Sequence, residues 1–140
     1  MSLPFVDCTL PRPLPPQPSA FSLPFWRELA EGRLTATRCK TCNEWSFPPR
    51  PICTRCGSDA PQWQPLSGRG RLYSCTRVHS VGGPFSAFAP YSVGIVDLDE
   101  GLRLLTRIMP DASALPLDSR VQIAVLRHPD GVLFAAIAAT

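Results

Sequence analysis

The sequence predicts a mainly β protein: an N-terminal arm and a short helix, then a four-cysteine zinc ribbon, then a C-terminal five-stranded barrel of the OB type. Three observations carry this expectation. Cys39-Lys-Thr-Cys42 and Cys53-Thr-Arg-Cys56 are two C-x2-C pairs separated by ten residues. From Gln62 onward apolar stretches alternate with Gly- and Pro-marked turns, which reads as strands joined by tight loops. Five such strands, with short hairpins late and a longer excursion before the fourth, match the Greek-key order of a small OB barrel. The expected divisions are residues 1–21 for the arm, 22–33 for the helix, 34–60 for the ribbon and 61–140 for the barrel.

The arm carries six prolines between Met1 and Ala20. Proline lacks the N–H that helix and ladder need, so an extended, polyproline-like course without ladder pairing is expected. Its apolar residues Leu3, Phe5, Val6, Leu10 and Leu14 exceed what a solvated linker needs. Two fates stay open: a disordered tail, or an arm lying on a partner.

A helix follows. Ser22 or Leu23 starts it, Pro24 suits its first turn and Gly32 can end it. Phe25, Trp26 and Leu29 share one face. Two turns do not persist alone in water, so this face must dock, either on the chain's own core or on another subunit.

Four thiolates at the spacing of the two cysteine pairs converge on one tetrahedral ion, and Zn²⁺ is the usual guest. Cys39, Cys42, Cys53 and Cys56 are the expected ligands. Such a site is closed, so the single zinc is structural and performs no chemistry. The competing reading, two disulfides of a secreted scaffold, is set aside because Met-Ser-Leu-Pro-Phe-Val-Asp lacks a signal peptide's basic and apolar regions. A reducing cytoplasm is the expected compartment. Four thiolates on one Zn²⁺ carry two negative charges, and Arg38, Lys40, Arg50 and Arg55 are read as offsetting them rather than as a phosphate site.

In the barrel, Gly70–His79 reads as the first strand. Tyr91–Leu98 and Leu102–Ile108 form a hairpin about Asp99-Glu100-Gly101, whose acids are read as a solvated tip. Val121–Arg127 alternates, with Val121, Ile123 and Val125 on one face. Val132–Ala139 is apolar on both faces and must be covered on both. Cys75 is read as a buried small residue, and His128, before the Pro129-Asp130-Gly131 turn, as exposed.

No paired nucleophile and base emerges. Cys75 and His79 lie about 13 Å apart along an ideal strand, too far to act together. The chain has thirteen Arg, one Lys and a net charge of +3. The pI near 8.7 is short of a strongly basic nucleic-acid module. No apolar run is long enough for a membrane helix. Loop Val81–Pro90 carries Phe85 and Phe88 among small residues, either as a binding contact or folded back over the barrel end.

Phe25-Trp26-x-x-Leu29…Gly32-x-Leu34, the cysteine pairs with Phe47-Pro48-Pro49 between them, Gly68–Gly70, Tyr73–His79, Pro90-Tyr91-Ser-Val and Val96–Gly101 together resemble a known family. It joins a rubredoxin-like zinc ribbon to an OB-fold and is associated with acyl-CoA metabolism. The resemblance covers about Leu23 to Ala138.

It implies a non-catalytic accessory subunit of a thiolase-like enzyme (a thiolase, acyltransferase or retro-aldolase) acting on CoA thioesters of lipid or aromatic compounds. The implied assembly is a hetero-oligomer with a larger thiolase-fold subunit, with a CoA thioester at the interface. Phe25, Trp26, Phe85, Phe88 and Tyr91 are the candidate contacts. Arg71 and Arg77 share strand parity with His79 and are candidates near the CoA phosphates or adenine. Two alternatives are kept: a single-stranded nucleic-acid module, and a stand-alone acyl-CoA binder or hydratase-associated subunit. The central strands offer Arg103 and Arg107 but only Tyr91 as an aromatic, which disfavours nucleic acid.

Overall fold

The computed structural model describes residues 2–109 and 115–139. The chain ends of the expected arm and barrel, Met1 and Thr140, lie outside these. The elements are β1 (Phe5–Asp7), α1 (Leu23–Ala30), β2 (Leu34–Cys39), β3 (Trp45–Ser46), β4 (Pro61–Leu66), β5 (Arg69–Val78), a 3-10 helix (Gly83–Phe88), β6 (Tyr91–Leu98), β7 (Arg103–Ile108), β8 (Arg120–His128) and β9 (Gly131–Ala138).

Strands β5 to β9 close on themselves in the order β8-β5-β6-β7-β9, with β9 returning to β8. This is the expected five-stranded barrel. Its β7–β9 pairing is parallel and the other four are antiparallel. The inner face follows period-2 alternation: Ser92, Gly94, Val96 and Leu98 of β6 are buried and their neighbours are not. Gly94 is dictated by close approach, since an added Cβ would lie 2.6 Å from the carbonyl oxygen of Ser74. A second sheet, β3-β2-β4, carries the metal centre, and all six residues of β4 pair with β2. One core joins everything: Leu3, Leu29, Leu34, Leu66, Leu72 and Ile123 belong to a single buried cluster.

Four expectations need correction. The arm does form ladder. Phe5, Val6 and Asp7 pair in parallel with Val125, Leu126 and Arg127 of β8. These three residues fall in the gap between Pro4 and Pro11, where every N–H is intact. Leu3 is buried, and its N–H donates to Gly32 O at 2.7 Å. Farther on, the Arg12 N–H donates to Asp130 Oδ1 at 2.9 Å, and Arg12 Nη2 donates to Asp130 O at 2.8 Å. The arm thus lies on its own barrel.

His128 is buried rather than exposed, with Nδ1 2.8 Å from Leu10 O under this strap. Cys75 is half-buried rather than buried. The acids of the β6–β7 turn are clamps, not a free tip. Asp99 accepts two bonds from Arg120 at 2.9 Å each, and Glu100 Oε2 accepts the Ser67 N–H at 2.8 Å. Asp97 takes Arg103 Nε at 2.6 Å.

Asp130 makes the arm's docking sensitive to acid. The Arg12 backbone N–H, and then its guanidinium, hold the Asp130 carboxyl below its ordinary range. A depressed carboxylate stabilises the fold fully above its unfolded value of about 3.9 and loses that contribution as pH falls through the folded value. The protection of the Val6 and Cys8 amides against hydrogen exchange, taken relative to the free-amide rate at each pH, is therefore expected to fall as pH drops below that range. Asp130→Ala is expected to lower it at neutral pH with zinc content unchanged. Wild-type exchange in the variant would mean that the β1–β8 ladder holds the arm unaided.

Candidate functional site

The metal centre is built by repetition. In the first knuckle the Cys39 N–H donates to Glu44 O at 2.9 Å and the Asn43 N–H donates to Cys39 O at 2.9 Å. In the second the Cys53 N–H donates to Ser58 O at 2.9 Å and the Gly57 N–H donates to Cys53 O at 3.0 Å. The residue after each second cysteine turns left-handed, Asn43 at φ 64° and Gly57 at φ 77°. Asn and Gly are the residues that tolerate this conformation. Sequence reasoning passed over this pair, although C-x2-C followed by Asn or Gly is a readable signal.

The four Sγ atoms lie within 4.8 Å of one another. Across the knuckles, Cys39–Cys56 and Cys42–Cys53 are each 3.5 Å apart. A tetrahedron with Zn–S near 2.3 Å separates its sulfurs by roughly 3.8 Å, so this donor set fits the ion. The chemistry agrees. The backbone N–H of Cys42, then that of Thr41, aims at Cys39 Sγ and holds its thiol down to about 6. The N–H groups of Cys56 and Arg55 lower Cys53 in the same way. Against the N–H groups of Glu44 and Ser58, burial and the neighbouring sulfurs push Cys42 up to about 12 and raise Cys56. The four close sulfurs thus divide into two that ionise readily and two that need the cation's charge to do so. Thiolate is the form a metal takes. All six cysteines of the chain are unbridged. Among the nearby cations, Arg55 pairs with Glu44 at 3.0 Å and Arg38 stacks over Trp45 at 4.9 Å. Both are occupied by the ribbon's own groups, in keeping with a structural role for this basic cluster.

The other candidate residues do not form one site. Phe25 is buried in the chain's own core, edge-on to Trp26, Phe47 and Phe134 at 5.1, 5.7 and 6.3 Å. It is corrected from a contact to a core residue: α1 docks internally, on β2 and β9. The outer side of β9 is in turn covered near Phe134 by α1. Trp26 remains half-buried beside it.

Parity placed Arg71, Arg77 and His79 together, and the structure separates them. A bulge between Leu72 and Ser74 inserts Tyr73, so Arg71 pairs with outward Asp97 while Arg77 pairs with inward Ser92. His79 follows the end of β5 and is exposed. Phe85 and Phe88 lie on the 3-10 helix, half-buried. Phe85 stacks near Tyr91 at 6.1 Å, and the Arg107 guanidinium lies 5.4 Å from Phe88 and 5.8 Å from Tyr91.

A closed four-thiolate ribbon sharing one core with a five-stranded OB barrel defines a class of two-module zinc proteins. The ChsH2 rubredoxin-like zinc ribbon domain matches residues 26–62, and the ChsH2 C-terminal OB-fold domain matches residues 63–127. The chain belongs to this ChsH2 (DUF35) family.

Among its relatives is the benzoylsuccinyl-CoA thiolase subunit BbsA of Thauera aromatica, 33% identical over 69% of this chain and 67% of that protein. A DUF35 domain-containing scaffold protein of Methanocaldococcus jannaschii is 36% identical over 60% of this chain. A probable enoyl-CoA hydratase alpha subunit of Thermomonospora curvata is 39% identical over 61% of this chain. The chain spans 61% of the length of the scaffold protein and 27% of that of the hydratase subunit. Among solved structures, a chain of an Ltp2–ChsH2(DUF35) aldolase superposes with a TM-score of 0.78 at 29% identity, over 90% of this chain and 100% of that one. No helix among the described residues is long and apolar enough to cross a membrane.

Proposed function

We propose that this chain is a non-catalytic, zinc-stabilised accessory subunit of a thiolase-like enzyme acting on CoA thioesters in a reducing cytoplasm. The observation that carries the reading is the likeness to the Ltp2–ChsH2 aldolase chain, which extends over all of that chain and nine-tenths of this one. BbsA, a thiolase subunit by name, supports it from sequence. A centre closed by four cysteine ligands leaves no open coordination position for substrate. The chain therefore serves assembly and the shape of the substrate channel. Trp26, Phe85, Phe88 and Tyr91 are its contact candidates, while exposed Arg71, Arg77 and His79 are candidates for polar groups of CoA.

The hydratase likeness supports a second reading, in which the large subunit is a hydratase. Co-purification of the tagged chain with its large partner, and identification of that partner by mass spectrometry, separates the two. A thiolase-fold subunit is expected. The isolated chain is expected to show no thiolytic, aldol-cleaving or hydratase turnover of acyl-CoA, and the assembled pair is expected to show one of them. Turnover by the chain alone, or tight salt-sensitive binding of single-stranded nucleic acid with no protein partner, would overturn the reading.

A further inference from the structure

One face of the barrel, between the ribbon and the 3-10 helix, is apolar and incomplete. Toward the ribbon lies a groove of about 350 Å³ walled by Trp26, Phe47, Pro48 and Phe134. Toward the 3-10 helix lies a second groove of about 350 Å³ walled by Phe85, Phe88, Tyr91 and Leu133. Leu105 lines both and stands between them, 67% exposed. Neither groove has an acidic residue in its lining, while Arg103 lines one and Arg107 the other.

The backbone beneath is also open. Among the described residues, strand β7 pairs with β9 only at Arg107↔Ala135 and Ile108↔Ala136. The Met109 N–H donates to Ala136 O at 2.9 Å, so the odd-numbered residues of β7 turn their backbone groups toward β9. Leu105 and Arg103, two and four residues before Arg107, direct theirs into a seam with no strand opposite among the described residues. The Arg107 side chain is half-buried beside Phe88 and Tyr91, and its Nε has no hydrogen-bond partner.

We infer that this seam is the docking site for an extended segment of the large subunit, which pairs with the Arg103–Leu105 edge and sets apolar side chains into the two grooves. The inference rests on the accessory-subunit reading above. Three features select an extended polypeptide. A strand supplies the carbonyls and N–H groups that an unladdered edge lacks, which neither a helix nor an acyl chain can do. Side chains two residues apart on a strand lie roughly 7 Å from one another on the same face, so alternate residues of one strand can enter two separate grooves. Arg103 is already paired with Asp97, but Arg107 has no acid in its groove and favours a neutral or acidic segment whose oxygens meet it.

The test uses the large subunit identified by co-purification and then produced recombinantly. Leu105→Glu changes an exposed side chain, so zinc content and thermal unfolding are expected to stay as in wild type. Its affinity for the large subunit is expected to fall at least 100-fold. Leu117→Glu, equally exposed but away from the seam, is expected to bind within twofold of wild type. In the wild-type complex, amide exchange at Arg103 and Leu105 is expected to slow. If Leu105→Glu binds within threefold, the seam is not the dock, although the accessory-subunit reading stands. If affinity falls but those amides exchange as before, strand pairing is refuted. If the chain alone dimerises in sedimentation and Leu105→Glu abolishes the dimer, the occupant is a second copy and the inference fails. If wild type binds no thiolase-fold subunit, both readings fall together.

Discussion

Cys39→Ser is expected to release the zinc and collapse the ribbon. Cys39 ends β2, is buried, and anchors its knuckle through both its N–H and its C=O. Structural zinc in small modules is worth about 10–16 kcal/mol of apparent binding free energy at neutral pH, comparable to the whole stability of a domain. The ribbon sheet has little else to hold its knuckles: β3 is two residues long, and Cys53 and Cys56 lie outside any strand. Metal content is expected to drop from one equivalent to near none, and the thermal midpoint by about 10 °C or more. Cys42→Ser should behave alike, whereas Cys8→Ser and Cys75→Ser should keep the full equivalent. Because protons compete with the ion for sulfur, release to a chelator should quicken as pH falls. A full complement of zinc in both Cys39→Ser and Cys42→Ser would refute the four-thiolate centre.

Phe25→Ala is expected to be the most damaging apolar substitution outside the barrel interior. Its ring meets Trp26 of its own helix, Phe47 of the ribbon loop and Phe134 of β9, so one side chain fastens three parts of the fold. Removing a buried phenylalanine costs about 3–5 kcal/mol through lost transfer energy and the cavity left behind. Edge-to-face pairs add roughly 0.5–1.5 kcal/mol each. The isolated variant should therefore unfold at markedly lower denaturant, without any partner present. Trp26→Ala, which truncates a half-exposed ring, should cost less. If Phe25→Ala were as stable as wild type and failed only in assembly, the ring would be a partner contact after all.

What the sequence disclosed and what it concealed divide along one physical line. Cys39, Cys42, Cys53 and Cys56 were legible because a metal site made of two knuckles is local: each pair spans four residues and the ion does the long-range joining. The strands of the barrel were legible because turns such as Asp99-Glu100-Gly101 and Pro129-Asp130-Gly131 bound them, and because Val121, Ile123 and Val125 recur at period two. The bulge at Tyr73 was not, since an extra residue in one strand is defined only against the partner's register. Reading parity through it put Arg71 and Arg77 on one face, and the fold puts them on two. Phe25 could not be allotted to core or interface, because amphipathicity reports that a face is buried and not what buries it. The strap was hidden by its prolines: composition describes Met1–Ala20 as a whole, while its pairing depends on three proline-free residues and on a strand far along the chain.

That pairing sets an order of events. Asp7 and Arg127, joined at 2.9 Å, are 120 residues apart in sequence. The arm is made before the ribbon, yet the strand that receives it, β8, is made only after the ribbon and after β5, β6 and β7. Long-range closures of this kind are slow, because chain entropy is lost before contact is gained. The ribbon can close around its ion while most of the barrel is still being synthesised, but Leu3 and Phe5 must wait in water until β8 is in place. During that interval the chain carries an unpaired apolar strand ahead of the ribbon. A chain interrupted before Arg120 would keep that strand exposed permanently, marking an unfinished molecule for aggregation or degradation.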